Sequence, residues 1–578
     1  MSTPTPIGHI EFSDGDMRRV YTDPVERIET NDVREVQNAL AHVEARVAEG
    51  YHAAGYVAYE AASAFDPAFQ THELSVLPLL SFGIYKEAYS KPSPARSAHP
   101  LTDTPAWKPA LKRVAYDAAI AQIKKHIAAG DTYQVNYTFP TTADFHLDGL
   151  TWFHERQQAP NAAYSAYLNL GHHEIISLSP ELFFSLDGTA LTSRPMKGTR
   201  PRGLSAAQDE ALAKELRHSP KEQAENLMIV DMLRNDMGRV CDTGSIRVPS
   251  LFSIEQYPTV WQMTSTVTGT THASIPAIFQ ALFPCASVTG APKIETMKII
   301  RQLESSPRGV YCGAIGWWSP ERQAQFNVAI RTAVVNTASR SACYSVGSGI
   351  TWDSVDALEY QECETKATVL QHTRPDFELL TSLRLDSEGY FLRSHHLDRL
   401  ERSAAYFAFP FDRKTITETL DAYGTTVTTL PAKVRLCMDD KGHVSISHAE
   451  VSEPTPWKVG LAQGPIDTAQ PWVYHKTTHR DCYDIARATR PDCTDVILAT
   501  ADGYLTETTY ANIVLQIGDK KYTPSLEDGL LDGVFRRQLL EEGTLEERSL
   551  TVEDLARADR IYLINSVRKW IEVNWQDG

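Results

Sequence analysis

The hydrophobic pattern of this chain stops and restarts near residues 372–376, and that break limits the folds it can adopt. A helical pattern over 353–370 ends before Pro375, and a strand pattern follows. The full length of 578 residues also exceeds one ordinary hydrophobic core, since single cores stop growing near about 250–300 residues. We therefore predict two domains, over 1–372 and 376–578.

Further elements can be predicted on both sides of this break. Apolar residues recur at helical spacing over 113–129, where Gly130 would end the helix, and residues 133–138 alternate as in a strand. Helices are also expected over 222–237 and around 395–407. Strands and helices follow one another without a regular strand–helix–strand order, which favours an α+β fold class over a doubly wound sheet.

The composition is that of a globular protein with an acidic surface. Lys and Arg together number 56 and Asp and Glu 73, so the formal net charge is −17. Such a surface repels nucleic acids and anionic membranes, and we expect neither as a partner. The eight cysteines form no CxxC pair, and the sequence contains neither a signal-peptide pattern nor about 18 consecutive apolar residues. We therefore expect free thiols and a cytoplasmic protein.

Carboxylates on two predicted helices form the first candidate site. Glu359, Glu362 and Lys366 share one helical face, and Glu225 lies on the other helix. Carboxylates that point into one cleft are suitable ligands for Mg²⁺. A solvated face of alternating charges explains the same spacing, and the spacing alone favours that explanation.

Three loops combine glycine with polar or basic residues, at 195–203, 289–293 and 347–350. Their backbone N–H groups and cations are suited to binding a carboxylate. Ordinary turns use the same residues, so no single loop indicates a function.

The order of these motifs resembles that of the chorismate-utilising enzymes. This family includes anthranilate synthase component I, aminodeoxychorismate synthase component I, and the isochorismate and salicylate synthases. The resemblance extends over roughly residues 110–370, and it implies a large α+β fold, chorismate as substrate and Mg²⁺ as cofactor. The six motifs that carry it are Ser179-Pro180-Glu181 and residues 197–203, 231–236, 289–293, 329–333 and 359–362.

The resemblance implies a role for each matched position. It assigns Mg²⁺ to Glu225 and Glu362, with Glu359 beside them, and the enolpyruvyl carboxylate of chorismate to Tyr311 and Arg331. The substrate-binding residues that it implies are Thr289, Gly290, Tyr311, Arg331, Gly347, Gly349 and Lys366.

Lys197 indicates which reaction of the family to expect. Anthranilate synthases usually have Ala at this position, so the chain looks like the aminodeoxychorismate synthase type. In that mechanism Lys197 attacks C2 of chorismate while Glu181 protonates the departing C4 hydroxyl, and ammonia then adds at C4 and expels the lysine. Isochorismate synthases have a lysine where this chain has Gln134, which argues against water as the nucleophile. Many relatives have His in place of Gln262, which cannot exchange a proton.

The nitrogen source is not encoded in this chain. No Gly-x-Cys-x-Gly stretch occurs with downstream His and Glu residues, so we predict no built-in glutaminase. The resemblance therefore implies a separate glutamine amidotransferase subunit as partner, or the use of free ammonia.

Residues 376–578 carry a different set of motifs, which resembles the class IV (fold type IV) pyridoxal-phosphate enzymes. The segment looks like the aminodeoxychorismate lyase branch in particular, partly because of its neighbour. The resemblance implies pyridoxal 5'-phosphate (PLP) as cofactor and allows a homodimer formed through this domain. The motifs are residues 377–380, 396–400, 475–478, 505–513 and 529–534.

The second resemblance also implies residue roles. Lys476 would carry PLP as a Schiff base, and Glu507 would pair with the pyridine nitrogen and keep it protonated. Arg399 and the helix that begins at Gly533-Val534 would bind the phosphate, the helix through its N-terminal N–H groups. Supporting contacts to the ring and phosphate are implied for Thr509 and Asn512.

Two departures from the lyase pattern concern the substrate entrance. The span from Arg399 to Lys476 is shorter than usual for the family, and Lys569 stands where related lyases often have Gly. Either change would alter the entrance without changing the PLP chemistry.

Together the two resemblances predict a bifunctional enzyme of 4-aminobenzoate synthesis that supplies folate synthesis. Three alternatives remain open at this stage. The second domain would be an amino-acid transaminase, the first would be an anthranilate synthase, or one domain would be a non-enzymatic scaffold that recruits the amidotransferase. The intact pair of Lys476 and Glu507 makes the scaffold the weakest of the three.

Overall fold

The chain divides into two units whose sequences interleave. In the computed structural model the first unit comprises 1–201 and 213–374, and the second comprises 202–212 and 375–578. The predicted boundary lies mostly outside the described residues, so the predicted bounds of the two domains stay a prediction. The structure describes residues 5–15, 17–74, 76–94, 104–157, 163–368, 370, 375–451 and 455–576.

The described part of the first unit contains twenty strands and eight α-helices. In chain order these are β1 (Ile10–Asp14), β2 (Met17–Tyr21), β3 (Glu26–Thr30), α1 (Val36–Ala48), β4 (His52–Val57), β5 (Leu80–Tyr85), β6 (Tyr89–Pro92), β7 (Lys108–Pro109), α2 (Arg113–Ala129), β8 (Gln134–Asp144), α3 (Gly149–Gln157), β9 (Ala166–Asn169), β10 (His173–Ser177), β11 (Leu182–Asp187), β12 (Ala190–Arg194), β13 (Met196–Pro201), α4 (Ala206–His218), α5 (Pro220–Gly238), β14 (Arg247–Gln256), β15 (Val260–Thr270), α6 (Ile275–Leu282), β16 (Gly290–Ala291), α7 (Lys293–Leu303), β17 (Ala314–Ser319), β18 (Gln323–Val328), β19 (Thr332–Asn336), β20 (Ser341–Ile350) and α8 (Asp356–Thr368). Helix α4 begins within the segment that packs with the second unit.

The strands of the first unit form two antiparallel ten-stranded sheets. One has the order β16-β8-β20-β19-β10-β9-β1-β2-β6 with β7 beside β8, and the other β13-β15-β12-β11-β18-β17-β4-β5-β3 with β14 beside β15. Strand β4 shows how the sheets pack, because its side chains alternate between two cores. Tyr56 joins the core between the sheets, whereas Val57 joins the core against helices α1 and α6. The arrangement confirms the predicted α+β class.

The second unit has twelve strands and five α-helices in its described part. These are β21 (Leu379–Asp386), β22 (Gly389–Tyr390), α9 (Arg393–Phe407), α10 (Arg413–Gly424), β23 (Ala432–Met438), β24 (Val444–Glu450), β25 (Trp457–Leu461), α11 (Asp481–Ala488), β26 (Asp495–Ala499), β27 (Leu505–Thr508), β28 (Asn512–Ile517), β29 (Lys520–Thr523), α12 (Val534–Glu541), β30 (Glu546–Glu547), α13 (Val552–Arg557), β31 (Arg560–Asn565) and β32 (Lys569–Gln576).

These strands form a smaller and a larger sheet. The smaller has the order β22-β21-β23-β24, and the larger β27-β26-β25-β32-β31-β28-β29-β30. Strand β25 runs parallel to both of its neighbours, whereas the pairs around β28 and β31 are antiparallel. The mixed sheet places the ends of β27, β28 and β31 around one cavity.

Residues 202–212 are the part of the chain that crosses to the second unit. The Arg202 guanidinium forms a buried ion pair with Asp209 at 2.7 Å and donates to the carbonyl of Tyr406 at 2.8 Å. The Tyr406 hydroxyl donates in return to the carbonyl of Gly203 at 2.8 Å. A cut at one point of the sequence therefore does not separate the two units.

The predicted elements agree closely with those observed. Helix α2 has the predicted bounds because Gly130, at φ +81°, ends it in the left-handed conformation. Helix α5 starts two residues before the predicted 222, where Ser219 accepts from the backbone N–H of Glu222. Of the described helices, none is long and apolar enough to cross a bilayer.

Candidate active sites

The first unit contains a cavity of about 290 Å³ between β13, β20, α5 and α8. It brings together residues that are distant in the sequence, because β13 is an edge strand of one sheet and β20 lies near the edge of the other. Ten of the predicted site residues line it: Glu181, Lys197, Glu225, Tyr311, Arg331, Gly347, Gly349, Glu359, Glu362 and Lys366.

Lys197, the predicted nucleophile, lies on β13 with its amine against β20. A Cβ atom at Gly349 would lie 2.3 Å from the Lys197 Nζ, so only glycine leaves room for the amine there. The Lys197 Nζ forms no hydrogen bond and no ion pair with any of the described residues. The amine is therefore available to a ligand in the cavity.

Gln262, at one position where the chain departs from its relatives, positions the strand that carries Lys197. Its Nε2 donates to the carbonyl of Gly198 at 2.9 Å, and its Oε1 accepts from the Thr199 hydroxyl at 3.0 Å. Both bonds fix the two residues after Lys197. The sequence could not indicate this role, since it depends on the pairing of β13 with β15.

Glu181 is a buried carboxyl group in the same cavity. Burial raises its pKa to about 7, although Ser287 and the charge of Lys197 oppose that shift. Its Oε1 atom has no hydrogen-bond partner among the described residues. A carboxyl group with these properties is protonated in a large fraction of molecules near neutral pH, which suits the predicted general acid.

The three predicted metal ligands line the cavity, but each already has another partner. Glu362 pairs with the Lys366 Nζ at 2.7 Å, and Glu359 accepts from the Ser354 hydroxyl at 2.7 Å. In the described part of the chain, no three His, Cys, Asp or Glu side chains are close enough to hold one ion. The oxygen ligands suit Mg²⁺ in their chemistry, since Mg²⁺ uses one or two carboxylates together with oxygens of the substrate.

The surroundings shift the pKa values of Glu225 and Glu362 in opposite directions. Desolvation raises the pKa of Glu225, and the nearby Glu222 and Glu359 add to this shift. Burial would also raise the pKa of Glu362, but the Lys366 ammonium reverses the shift and lowers it. Glu362 is therefore held as an anion.

Arg331 supplies a cation to the wall of the first cavity. It has φ +51°, a conformation that non-glycine residues rarely adopt and that is often retained at functional sites. Desolvation lowers its pKa, and its guanidinium carbon lies 5.5 Å from the centre of the Tyr257 ring. Within the described residues the structure provides no carboxylate ion pair for it. These properties suit a guanidinium that binds an anionic ligand.

Thr289 and Gly290 are not among the residues that line the cavity, and their role in substrate binding stays a prediction. The Thr289 hydroxyl donates to the carbonyl of Cys285 at 3.0 Å, so it serves the local turn. A Cβ atom at Gly290 would lie 2.0 Å from the carbonyl oxygen of Gln134, which explains why the position is glycine. Both residues shape the backbone beside β8.

The second unit contains a cavity of about 360 Å³ at the ends of β27, β28 and β31. All seven predicted cofactor-binding residues line it: Arg399, Lys476, Glu507, Thr509, Asn512, Gly533 and Val534.

Lys476 has the electrostatic environment of a reactive amine. Desolvation lowers its pKa to about 7, and the positive charges of Arg399 and Arg480 add to this shift. An amine with this pKa is about half neutral at pH 7 and largely neutral above it, and only the neutral form is a nucleophile.

Glu507 is buried and held by three donors. Its Oε1 accepts from the Tyr483 hydroxyl at 2.8 Å and the Leu531 N–H at 3.2 Å, and its Oε2 accepts from the Asn512 amide at 3.3 Å. Burial raises its pKa to about 7 despite these bonds. A positively charged ring nitrogen beside the Glu507 carboxyl would stabilise its ionised, anionic form. Tyr483 carries no motif signal, and the sequence analysis missed it.

Arg399 and Gly533 form a site for an anion in the wall of the second cavity. Burial lowers the pKa of Arg399 to about 10, and the described residues provide no carboxylate to pair with it. Gly533 caps helix α12, and a Cβ atom there would lie 1.8 Å from the Asn512 Oδ1. A helix N-terminus beside a buried arginine suits a phosphate group.

Two more predicted positions have local explanations. The Thr509 hydroxyl donates to the buried Asp495 carboxylate at 2.6 Å, which leaves its oxygen as a possible acceptor only. Lys569 has φ +60°, in the left-handed region that favours glycine.

The comparisons with known proteins agree with this division. The family model described as chorismate binding enzyme matches residues 5–372, and that described as amino-transferase class IV matches residues 378–574. Because the first match covers more than half of the chain, the protein belongs to the chorismate-binding enzyme family. Its C-terminal part is a class IV aminotransferase-like domain.

Relatives named aminodeoxychorismate synthase component 1 and a relative named anthranilate synthase component 1 both match this chain. The chain is 40% identical over 288 residues to aminodeoxychorismate synthase component 1 of Klebsiella aerogenes, which covers 49% of this chain and 63% of that protein. It is 39% identical over 271 residues to the protein of the same name from Bacillus subtilis, which covers 46% of this chain and 57% of that one. The chain thus spans less than two thirds of the length of these relatives.

A solved structure supports the fold of the first unit. Anthranilate synthase component I from Streptococcus pneumoniae is 24% identical, with a TM-score of 0.54 over 62% of this chain and 93% of that one. At this identity the likeness concerns the fold alone.

Proposed function

We propose that this protein makes 4-aminobenzoate from chorismate in two steps. The first domain would convert chorismate and ammonia into 4-amino-4-deoxychorismate, and the second would remove pyruvate from that intermediate. The observation that carries the proposal is that each cavity combines a lysine amine with a buried glutamic acid whose pKa is raised to about 7. The relatives of the first domain support the choice of substrate.

In the first step the Lys197 amine would form a bond to C2 of chorismate. Both ring double bonds shift, the C4–O bond breaks, and Glu181 donates its proton to the departing hydroxyl, which leaves as water. Ammonia then bonds to C4, both double bonds shift back, and the bond to Lys197 breaks. Arg331 would bind a carboxylate of the substrate.

Mg²⁺ would be held by one or two of the carboxylates of Glu225, Glu359 and Glu362 together with oxygens of the substrate. The ion would supply positive charge beside the substrate carboxylate.

In the second step PLP would be held by Lys476, Glu507, Arg399 and the N-terminus of helix α12, and it would supply an electron sink. The Lys476 amine, when it is not bonded to the cofactor, would take the proton from C4 of the substrate. The C3–O bond then breaks, the ring becomes aromatic, and the three-carbon fragment leaves as pyruvate.

Both steps share one intermediate. Because both domains belong to one chain, the second site is present at a high local concentration where the first site releases that intermediate. Ammonia would come from a separate glutamine amidotransferase subunit or from free ammonium, in line with the name "component 1" of the relatives. We further propose a cytoplasmic protein, in agreement with its eight free cysteines. A homodimer through the second domain is also proposed.

Product analysis tests the proposal. The full chain, supplied with chorismate, Mg²⁺, PLP and an ammonium salt, is expected to release 4-aminobenzoate and pyruvate in equal amounts. Anthranilate as the main product would contradict the role of the first domain. Aminodeoxychorismate that accumulates without 4-aminobenzoate, together with amino-group transfer to 2-oxoacids, would make the second domain a transaminase.

Glu362→Gln is expected to lower chorismate turnover by about 100-fold or more. The glutamine keeps the shape but loses the charge that would bind Mg²⁺, and it leaves the Lys366 ammonium, now 2.7 Å from the carboxylate, without its partner. Glu364→Gln, an exposed position on the same helix, is the matched control. PLP absorbance should be unchanged in both variants. Normal turnover of Glu362→Gln at low Mg²⁺ would contradict the assignment.

The raised pKa of Glu181 predicts a pH dependence for the first step. The carboxyl group is protonated below its pKa of about 7, so the acid form is lost as the pH rises through 7. At a constant concentration of free NH₃, kcat/KM should carry this loss of the acid form above pH 7. Glu181→Gln should lower the rate by about 10²- to 10⁴-fold and abolish this dependence. Profiles of wild type and Glu181→Gln that have the same shape between pH 6 and 9 would exclude Glu181 as the acid.

A further inference from the structure

The wall of the second cavity carries more cations than the cofactor requires. Among the described residues, six cationic and two anionic side chains line it. PLP accounts for Arg399 and Lys476 among the cations and for Glu507 among the anions. The remaining side chains are Lys433, Arg480, Arg487 and Arg568, with Glu450 as the remaining carboxylate.

Arg480 is held rigidly at this wall. Its guanidinium carbon lies 4.8 Å from the centre of the Tyr483 ring and 4.7 Å from that of Tyr510, and its Nη2 donates to the carbonyl of Thr509 at 2.5 Å. Tyr483 in turn donates to Glu507. Since no carboxylate forms an ion pair with Arg480 in the described part of the chain, its charge is directed to the cavity by neutral groups.

Lys433 and Arg568 extend this positive charge from two other elements. Lys433 is exposed on β23, and Arg568 belongs to the turn between β31 and β32, where its N–H donates to the Asn565 side chain at 2.8 Å. Desolvation and the charges of Arg435, Arg568 and Arg480 lower the pKa of Lys433. An anion that binds between Lys433 and Arg480 would offset the repulsion between their charges.

We propose that Lys433, Arg480 and Arg568 form a carboxylate-binding rim that selects amine substrates with two carboxylates. This inference rests on the proposed function of the second domain and specifies the substrate class of that site. The phosphate of PLP would be bound by Arg399 and the N-terminus of helix α12, so these three cations are not assigned to the cofactor. An ordinary amino acid has one carboxylate and neutralises less of the rim.

The rim also accounts for product release. 4-Amino-4-deoxychorismate carries a ring carboxylate and an enolpyruvyl carboxylate, whereas 4-aminobenzoate and pyruvate carry one each. Breaking the C3–O bond therefore separates the two charges that the rim holds together. Each product is expected to bind more weakly than the substrate.

Binding of two inert acids to the PLP-loaded full chain tests the rim without turnover. Isophthalate, with two carboxylates, should bind at least about tenfold more tightly than benzoate, which has one. Lys433→Met and Arg568→Gln should each weaken isophthalate binding by about 10- to 100-fold, and the charge-retaining Lys433→Arg should keep most of it. Lys441→Met, an exposed lysine outside the cavity, is the control. Visible PLP absorbance should be the same in all variants, which shows that they fold and hold the cofactor.

Kinetics with aminodeoxychorismate separate the rim from the lyase function. If the rim and the lyase function are both right, Lys433→Met raises KM for aminodeoxychorismate about 10- to 100-fold with a smaller change in kcat. Isophthalate binding that is equal in wild type, Lys433→Met and Arg568→Gln would overturn the rim, whether or not 4-aminobenzoate forms. Loss of isophthalate binding in the variants of a protein that forms no 4-aminobenzoate would support the rim and reject the lyase.

Discussion

Lys476→Ala is expected to abolish 4-aminobenzoate formation while chorismate amination continues. The variant removes both the amine that would hold PLP and the base that takes the C4 proton, so a loss of about 10³-fold or more is expected. The visible absorbance of lysine-bound PLP should disappear with it. Aminodeoxychorismate should accumulate from chorismate and ammonium, because the first cavity is lined by other residues.

Two further variants make this result specific. Lys458→Ala changes an exposed lysine of the same unit and should retain the absorbance and the rate. Glu507→Ala should retain the absorbance but slow elimination severely, because the group that supports the positive ring nitrogen is lost. If Lys476→Ala converts aminodeoxychorismate at the wild-type rate, the second domain is not the proposed lyase.

Lys197→Ala is expected to stop aminodeoxychorismate formation, with a loss of about 10³-fold or more. The mechanism requires an amine at C2 of chorismate, and alanine provides none. The domain should still fold and bind chorismate, since the Lys197 Nζ has no structural partner among the described residues. Chorismate binding by calorimetry and product analysis by chromatography measure the two expectations separately.

Lys125→Ala, an exposed position on helix α2, is the matched control for this variant. A small residual amount of anthranilate from Lys197→Ala would agree with the mechanism. Undiminished aminodeoxychorismate would refute covalent catalysis by Lys197.

Local patterns in the sequence predicted four of the helices, whereas the residues of the first cavity were predicted from the family resemblance. The helix over 113–129 could be predicted because apolar periodicity and a terminal glycine coincide there. The predicted helix over 353–370 instead begins at Asp356, because the Ser354 hydroxyl accepts from the N–H of Thr351 and donates to Glu359. Such a side-chain bond has no periodic signal.

The sequence was less informative where function depends on contacts between distant strands. Gln262 supports Lys197 only through the register of β13 and β15, and Tyr483 reaches Glu507 from helix α11. Conversely, Thr289 and Gly290 belong to a matched motif but are not among the residues that line the cavity. A motif therefore does not show which of its residues line a cavity.

The interleaved segment 202–212 is a further feature that no linear pattern predicts. It leaves the first unit just after β13, the strand that carries Lys197, and packs with the second unit through Arg202 and Tyr406. The segment belongs to the second unit because of a buried ion pair and of hydrogen bonds whose partners are about two hundred residues apart in the sequence.

The central claim is that two separate sites act in sequence on one released intermediate. A mixture of the Lys197→Ala and Lys476→Ala proteins tests it most directly, because each protein retains the site that the other lacks. Neither variant alone should form 4-aminobenzoate from chorismate, ammonium, Mg²⁺ and PLP, whereas the mixture should form it after a lag in which aminodeoxychorismate accumulates. A mixture that forms no 4-aminobenzoate, or a single variant that forms it at the wild-type rate, would contradict the account.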